Sequence, residues 1–254
     1  MPHLFRPSST QNRYYAWFSA LHTRVDLLLL APLPEPAFLV AEVAIHSCLQ
    51  DVEHMGNRFD PASEISIARD AASPPADVTA SVAAAKRCPA PLSAPLFSLL
   101  ARCLRAYHET GGLFDITVNS PHFTPGLIND VELIPSPTTG GGSLLLHQPD
   151  IILDLSGILK GYALERLRKL LPTLGIHDAL INLGNSSILS LGSNPSDIPA
   201  GQCLTTSGNA TPERRHIRHP LTGRFITGQR QVSVITTDGT DGEILSITRF
   251  IQEA

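Results

Sequence analysis

The sequence has no apolar run long enough to span a bilayer. Its longest, Leu27 to Leu33, falls far below the roughly 20 residues that a membrane helix needs. Basic clusters are missing too: 19 Lys and Arg against 23 Asp and Glu leave a formal net charge of -4, without any Lys/Arg run. A nucleic-acid partner is therefore not expected. Cysteine is scarce, and Cys48, Cys88, Cys103 and Cys203 show neither CxxC nor CxxH spacing. That argues against a zinc or redox site and favours ordinary buried thiols, with one disulfide as the alternative. The start, Met1-Pro-His-Leu-Phe-Arg6, lacks a charged segment followed by an apolar core, and no lipobox cysteine lies near it. As written the chain reads as cytoplasmic, and as periplasmic if its N-terminus is incomplete. No internal repeat is visible.

Apolar content is what the chain does have. Of its 254 residues 43% are hydrophobic and 17% charged, enough for one large domain or two intimate subdomains with a substantial core. Tyr14 to Ala31 is β-like, a strand pair broken near His22-Thr23, and Pro32, Pro34 and Pro36 mark a loop. Ala37 to Met55 reads as an amphipathic helix with Val40, Val43, Ala44, Ser47, Cys48 and Val52 on one face. Asn57 to Ser63 is a turn-rich loop shaped by Asp60-Pro61. Residues 71–91, rich in Ala and Pro, read as irregular around a short helical piece. Pro95 to Thr110 is a second helix, with Phe97, Leu100, Ala101, Leu104 and Tyr107 as its apolar side, closed by Gly111-Gly112. A polar, Pro/Gly-rich loop then runs to Gly142, followed by a strand at Leu144 to His147. Strand-like pattern returns at Cys203, breaks from Gly208 to Arg215, and ends in a core strand at Val232 to Thr236. The signals interleave without regular alternation, so the class is α+β with mixed sheets and packed helices.

The most informative stretch runs from Ile151 to Glu165. A strand-like apolar run ends in Asp154, Gly157 and Gly161 turn the chain, and Leu164, Leu167, Leu170 and Leu171 recur at helical spacing until Gly175. Asp178-Ala-Leu-Ile-Asn-Leu-Gly184 follows as a strand. Small residues at a helix start leave N–H groups free for phosphate, and Lys160 adds positive charge there. The corner looks built to hold an anion; a tight strand–helix connection without ligand is the competing reading. Thr110-Gly-Gly-Leu-Phe-Asp-Ile-Thr117 sets Asp115 and Thr117 just past a helix end, as site or as turn. Thr205-Thr-Ser-Gly208 offers hydroxyls on a flexible backbone. Arg215-His-Ile-Arg-His-Pro-Leu-Thr-Gly-Arg224 holds two histidines among three arginines, a general base or phosphate clamp against a solvated basic loop.

Taken in order, these segments resemble the FAD:protein FMN transferase (ApbE) family. The matching positions are Ala20-Leu-His-Thr23, Gly56 to Ser66, Thr110 to Val118, and Asp154 to Ala163. Asn182-Leu-Gly-Asn-Ser186, Thr206-Ser-Gly208, His216 to Gly223, and Gly242 to Ile247 complete a colinear set covering nearly the whole chain. The resemblance implies an ApbE-like, T-fold-like architecture of two subdomains over residues 1–254, with a shortened C-terminal end after the last motif.

It also implies chemistry. FAD would be cleaved at its pyrophosphate with a divalent cation, usually Mg²⁺, and FMN passed to a threonine of an acceptor flavoprotein. A hard cation with oxygen ligands neutralises pyrophosphate charge. His216 matches the base for the acceptor hydroxyl, and Ile217 follows it in the same motif. Leu21, Phe59, Leu113, Phe114 and Asp115 match positions bordering the flavin nucleotide, and Ser156, Lys160 and Tyr162 match the turn beside it. Leu159 matches a residue whose backbone carbonyl binds the metal. The family's side-chain ligands, an Asp and a Thr four residues on, are Glu243 and Ile247 here, with Asp241 and Thr248 as substitutes through a register shift. Other departures are Leu21 for Met, Phe59 for Tyr, and Ser186 and His219 for Asp. A paralogue that binds FAD without transfer, and an FAD pyrophosphatase, are the alternatives.

Overall fold

The computed structural model describes residues 2–74, 88–138, 140–211, 213 and 215–254. Of the Ala/Pro-rich stretch 71–91, residues 75–87 lie outside the described residues. In chain order the elements begin with β1 (His3–Arg6), β2 (Asn12–Ala20), β3 (Thr23–Ala31), α1 (Glu35–Gly56) and α2 (Glu64–Ala72). Next come β4 (Ala90–Leu92), α3 (Ala94–Glu109), β5 (Val131–Pro135), β6 (Gly142–Leu146) and α4 (Leu159–Thr173). The last are β7 (Asp178–Leu183), β8 (Ser187–Leu191), β9 (Cys203–Asn209), β10 (Arg230–Thr236) and α5 (Gly239–Gln252). The class is mixed α+β with antiparallel sheets.

Contacts divide the chain into two compact units. The first joins Met1–Glu53, Gly157–Gly208 and Arg230–Phe250, and the second joins His54–Ser156, Asn209–Gln229 and Ile251–Ala254.

The first unit is organised by a seven-stranded sheet in the order β1-β2-β3-β7-β8-β9-β10. Strict alternation makes β2: Tyr14, Ala16, Phe18 and Ala20 are buried while the residues between them face outward. Ala20 pairs with Thr23, which leaves Leu21 and His22 as a two-residue turn with φ of 52° and 55°. Two positive φ values suit the strand twist and usually call for Asn-Gly, so this turn is strained. α1 buries Phe38, Ala41, Ile45, Cys48, Leu49 and Val52, and the Phe38 ring stacks on Tyr14 at 5.3 Å. That corrects the face expected from sequence: Val40 and Val43 are 64% and 66% exposed. The bulkier Phe38, Ile45 and Leu49 share one helical stripe and bury more area than the valines would. α4 packs on β8. β10 ends the sheet, with Val234 buried and Ile235 exposed, so it is an edge strand and not the expected core strand.

The second unit holds the antiparallel sheet β4-β6-β5, with α2 against β4 and β6 and α3 against β6. Ser63 caps α2 by accepting from the Ser66 N–H, and Ser93 caps α3 by accepting from the Leu96 N–H. α3 buries Leu96, Leu99, Leu100, Cys103 and Ala106, a stripe rotated from the expected one because Phe97, Ala101, Leu104 and Tyr107 are only half-buried. β5 lies inside the span read as loop. Ile151 to Asp154 is not a strand. It is extended chain held on a turn, with the Ile152 N–H on Ser120 Oγ at 2.9 Å and the Asp154 N–H on the Ile116 carbonyl at 2.7 Å.

The four cysteines are free, three of them buried. Among the described residues no helix is long and apolar enough to cross a membrane.

Candidate functional site

The glycine corner opens α4 inside the first unit. Ile158 occupies the cap position and gives no side-chain hydrogen bond, so the first N–H groups of α4 need another acceptor. Glu243 projects from α5 toward this start, and the Gly161 N–H helps to hold its titration point down. Gly161 is obligatory here: a Cβ at this position would stand 2.5 Å from the Gly239 carbonyl carbon and 2.7 Å from Glu243 Cγ. The anion that the corner holds is therefore the protein's own.

Glu243 is 4% exposed, and Ser187 Oγ donates to its Oε1 at 2.5 Å. Burial raises its titration point above the usual carboxylate range, while the Lys160 charge, the Ser187 hydroxyl and the Gly161 N–H pull the other way. Lys160 Nζ donates to Ser186 Oγ, and Ser186 Oγ lies 3.5 Å from Ser187 Oγ. Lys160, Ser186, Ser187 and Glu243 thus form one polar chain. Ser186 reaches it from the turn between β7 and β8, where Gly184 and Asn185 have φ of 64° and 58°. The Leu21–His22 turn sits at the same end of the sheet, since the Gly184 N–H donates to the Arg24 carbonyl at 2.8 Å. The Leu21 N–H is fixed by Glu53 Oε2 at 2.8 Å. Leu159 is buried and Tyr162 half-buried. Asp241 is exposed on the first turn of α5, its N–H bonded to Asp238 Oδ1 at 3.0 Å.

The remaining expected residues gather in the second unit. The chain leaves α3 through Gly111 and Gly112, and the Phe114 N–H returns to Thr110 Oγ1 at 3.0 Å. Phe114 is buried and Leu113 half-buried. Asp115 is 7% exposed. Its Oδ1 accepts from the Thr117 N–H at 2.7 Å and from Thr117 Oγ1 at 2.6 Å, while Oδ2 is buried without a partner. Burial raises its titration point, and the two Thr117 donors offset that only in part. An orphaned carboxylate oxygen is an unusual expense in a fold, and such groups concentrate at working sites.

Residues 216–226 form a tight hairpin on the same turn. Arg218 bridges Phe225, the Ile226 N–H donates to the Ile217 carbonyl at 2.9 Å, and Arg218 Nη1 donates to the Val118 carbonyl at 3.0 Å. Leu221 Cδ2 lies 3.6 Å from where a Gly112 Cβ would stand. His216 is exposed at the mouth of this hairpin and Ile217 is half-buried beside it. His219 is spent on structure, its Nδ1 accepting from the Leu221 N–H at 3.2 Å. Phe59 is 69% exposed, with the Arg58 guanidinium over its ring at 4.0 Å. Arg58 Nε also lies 2.9 Å from Asp154 Oδ2, which accepts from Asn119 Nδ2 at 2.7 Å. Asp154 Oδ1 takes the N–H of the exposed Ser156 at 2.9 Å.

Sequence reasoning passed over Ser187, Arg58 and Asn119. Asp154, directly before the glycine turn, was the visible sign of the Arg58 pair. Ser187 carried no sign, because its role depends on strand register.

The residues present do not suit Mg²⁺. A magnesium ion needs near-octahedral oxygen ligands at about 2.0–2.1 Å. Glu243 is enclosed and already accepts from the Ser187 hydroxyl, and Ile247 has no oxygen to offer. The Ile247 side chain instead leans on the corner, its Cδ1 2.9 Å from where a Gly157 Cβ would stand. Among the described residues no group of three or more His, Cys, Asp or Glu side chains could hold a metal.

A curated FAD:protein FMN transferase from Klebsiella pneumoniae (strain 342) is 33% identical over 132 residues, 42% of this chain and 41% of that protein's length. The flavin transferase ApbE from Vibrio cholerae superposes with a TM-score of 0.73 at 18% identity, covering 95% of this chain and 87% of that one. The apo flavinyl transferase ApbE from Pseudomonas stutzeri gives 0.75 at 14% identity, covering 97% and 88%. At such identity these two likenesses speak for the fold alone. The model of the ApbE family matches residues 21–254, and the chain belongs to that family.

Proposed function

We propose that this protein is an FAD:protein FMN transferase that moves FMN from FAD to a threonine of a partner flavoprotein. The observation that carries the reading is the bracing of the His216 hairpin on the Leu113–Val118 turn, through Arg218 and Val118. It ties the hairpin that carries the exposed His216 to the turn that carries the buried, half-unpaired Asp115, inside a chain of this family. His216 takes the proton of the acceptor threonine hydroxyl. The threonine oxygen then bonds to the FMN-side phosphorus, the phosphoanhydride P–O bond breaks, and AMP leaves with the bonding pair. Atoms balance: threonine and FAD become FMN-threonine and AMP, and the proton passes from His216 to water. The family resemblance assigns flavin contact to Phe59, Leu113, Phe114, Asp115 and Ile217, and phosphate contact to Ser156, Lys160 and Tyr162.

The test is FMN transfer to a flavoprotein domain with an exposed threonine, read by in-gel flavin fluorescence and by AMP release. His216→Ala should cut transfer by about a hundredfold or more, as loss of a general base does, with FAD affinity nearly unchanged. Equal loss of both would make His216 a binding residue. A second reading, a paralogue that binds FAD without transfer, is favoured by the enclosed Glu243. It predicts bound flavin with no AMP under any condition. AMP release without any acceptor would instead point to a pyrophosphatase.

A further inference from the structure

The polar chain from Lys160 to Glu243 has a consequence for the cation. We infer that in this protein the Lys160 ammonium, tethered through Ser186 and Ser187 to Glu243, stands in place of a divalent metal beside the dinucleotide phosphates. Three observations converge on it. The Glu243 carboxylate is enclosed and its Oε1 is engaged by the Ser187 hydroxyl, so a metal would have to open this packing to reach it. Ile247 presents a branched hydrocarbon against Gly157, where a fourth-position hydroxyl would be needed. Lys160 is only half-buried, so its ammonium reaches both the internal chain and solvent, which Glu243 does not.

An ammonium fixed by a serine is a weaker electrophile than Mg²⁺, but it needs no free ligand positions. The electrostatic work of the site falls to one fixed charge and the N-terminal N–H groups of α4. The flavin half of this inference rests on the function proposed above; the metal half does not.

The experiment titrates MgCl₂ alone into the purified protein by calorimetry and by thermal melting. We expect no saturable heat and no melting shift. The double variant Glu243→Asp with Ile247→Thr, which restores an oxygen donor pair, should gain a Mg²⁺-dependent melting shift. Saturable Mg²⁺ binding by the unaltered protein, lost in Glu243→Gln, overturns the inference. A double variant that still ignores Mg²⁺ overturns the claim that these two side chains exclude the metal. FAD affinity, measured by flavin fluorescence, should agree within about twofold between EDTA and Mg²⁺, and a loss of about tenfold in EDTA refutes the metal-free site. Lys160→Met should weaken FAD binding about tenfold, with no rescue by Mg²⁺. Absence of FAD binding in every buffer would sink the functional reading, while the metal titration still decides the counter-ion.

Discussion

Replacing Gly161 by alanine isolates the contact on which the corner depends. In an unobstructed helix the change would stabilise by about 1 kcal/mol, the usual penalty of glycine relative to alanine. Here the new methyl would meet the Gly239 carbonyl carbon at 2.5 Å and Glu243 Cγ at 2.7 Å. One obstacle is backbone at the start of α5, and the other is a side chain held by Ser187. Neither is the loose end of a flexible group, so overpacking should fall at the upper end of its usual range, about 3 kcal/mol. The net loss is then about 2 kcal/mol, or a fall of about 4–8 °C in melting temperature for a chain of this size. Calorimetry is the right assay because two units can give two transitions. Only the transition of the unit carrying α4, α5 and the seven-stranded sheet should move. In a Glu243→Ala background part of the cost should vanish, since the Cγ obstacle is gone. An unchanged or raised melting temperature would refute the reasoning, because α5 would then yield freely and Gly161 would not fix the Glu243 carboxylate.

Other perturbations probe the second unit. Arg58→Ala leaves the nearly buried Asp154 with two hydrogen bonds but no countercharge, and should lower the urea unfolding free energy by about 2 kcal/mol. Phe59→Ala removes a ring that is mostly in solvent, so stability should stay within about 0.5 kcal/mol while FAD affinity measured by fluorescence falls several-fold. Asp115 should give stability a pH slope. Its folded titration point lies above the unfolded one, so the folded state keeps the proton longer. The resulting stability is complete below the ordinary carboxylate range and is lost as pH rises through it to the raised folded value. Urea midpoints should therefore fall across that window in the unaltered protein, and Asp115→Asn should flatten the fall; a steeper slope in the variant would contradict the assignment.

Local signals carried much of the fold. The strand pair on either side of Leu21–His22, both long helices, α4 and the Gly175 stop were legible from period and glycine alone. Which face of a helix is buried was less so. Val40 and Val43 are as apolar as their neighbours, but Phe38, Ile45 and Leu49 lie on the stripe that meets Tyr14, and a tertiary partner chose between them. α2 was passed over although Ser63 and Glu64 mark its start, because Asp60-Pro61 dominated the reading of that segment. β5 and α5 were passed over because each is short of regular pattern, β5 among prolines and glycines and α5 behind two glycines.

The site divides along the same line. Residue types at the glycine corner announced an anion-binding helix start, and a carboxylate does stand against it, Glu243 Cγ lying 2.7 Å from where a Gly161 Cβ would be. What the one-dimensional pattern could not carry is whose carboxylate it is. Glu243 lies far along the chain, and its position against Gly161 follows from Gly239 packing on the same helix start, with Ser187 aligned by its pairing to Thr205 on β9. A glutamate at a position where the family resemblance implies aspartate therefore does more than move a ligand by one methylene. The longer side chain closes on the helix start and on Ser187, and Lys160, joined to the same chain through Ser186, is left as the cation of the corner.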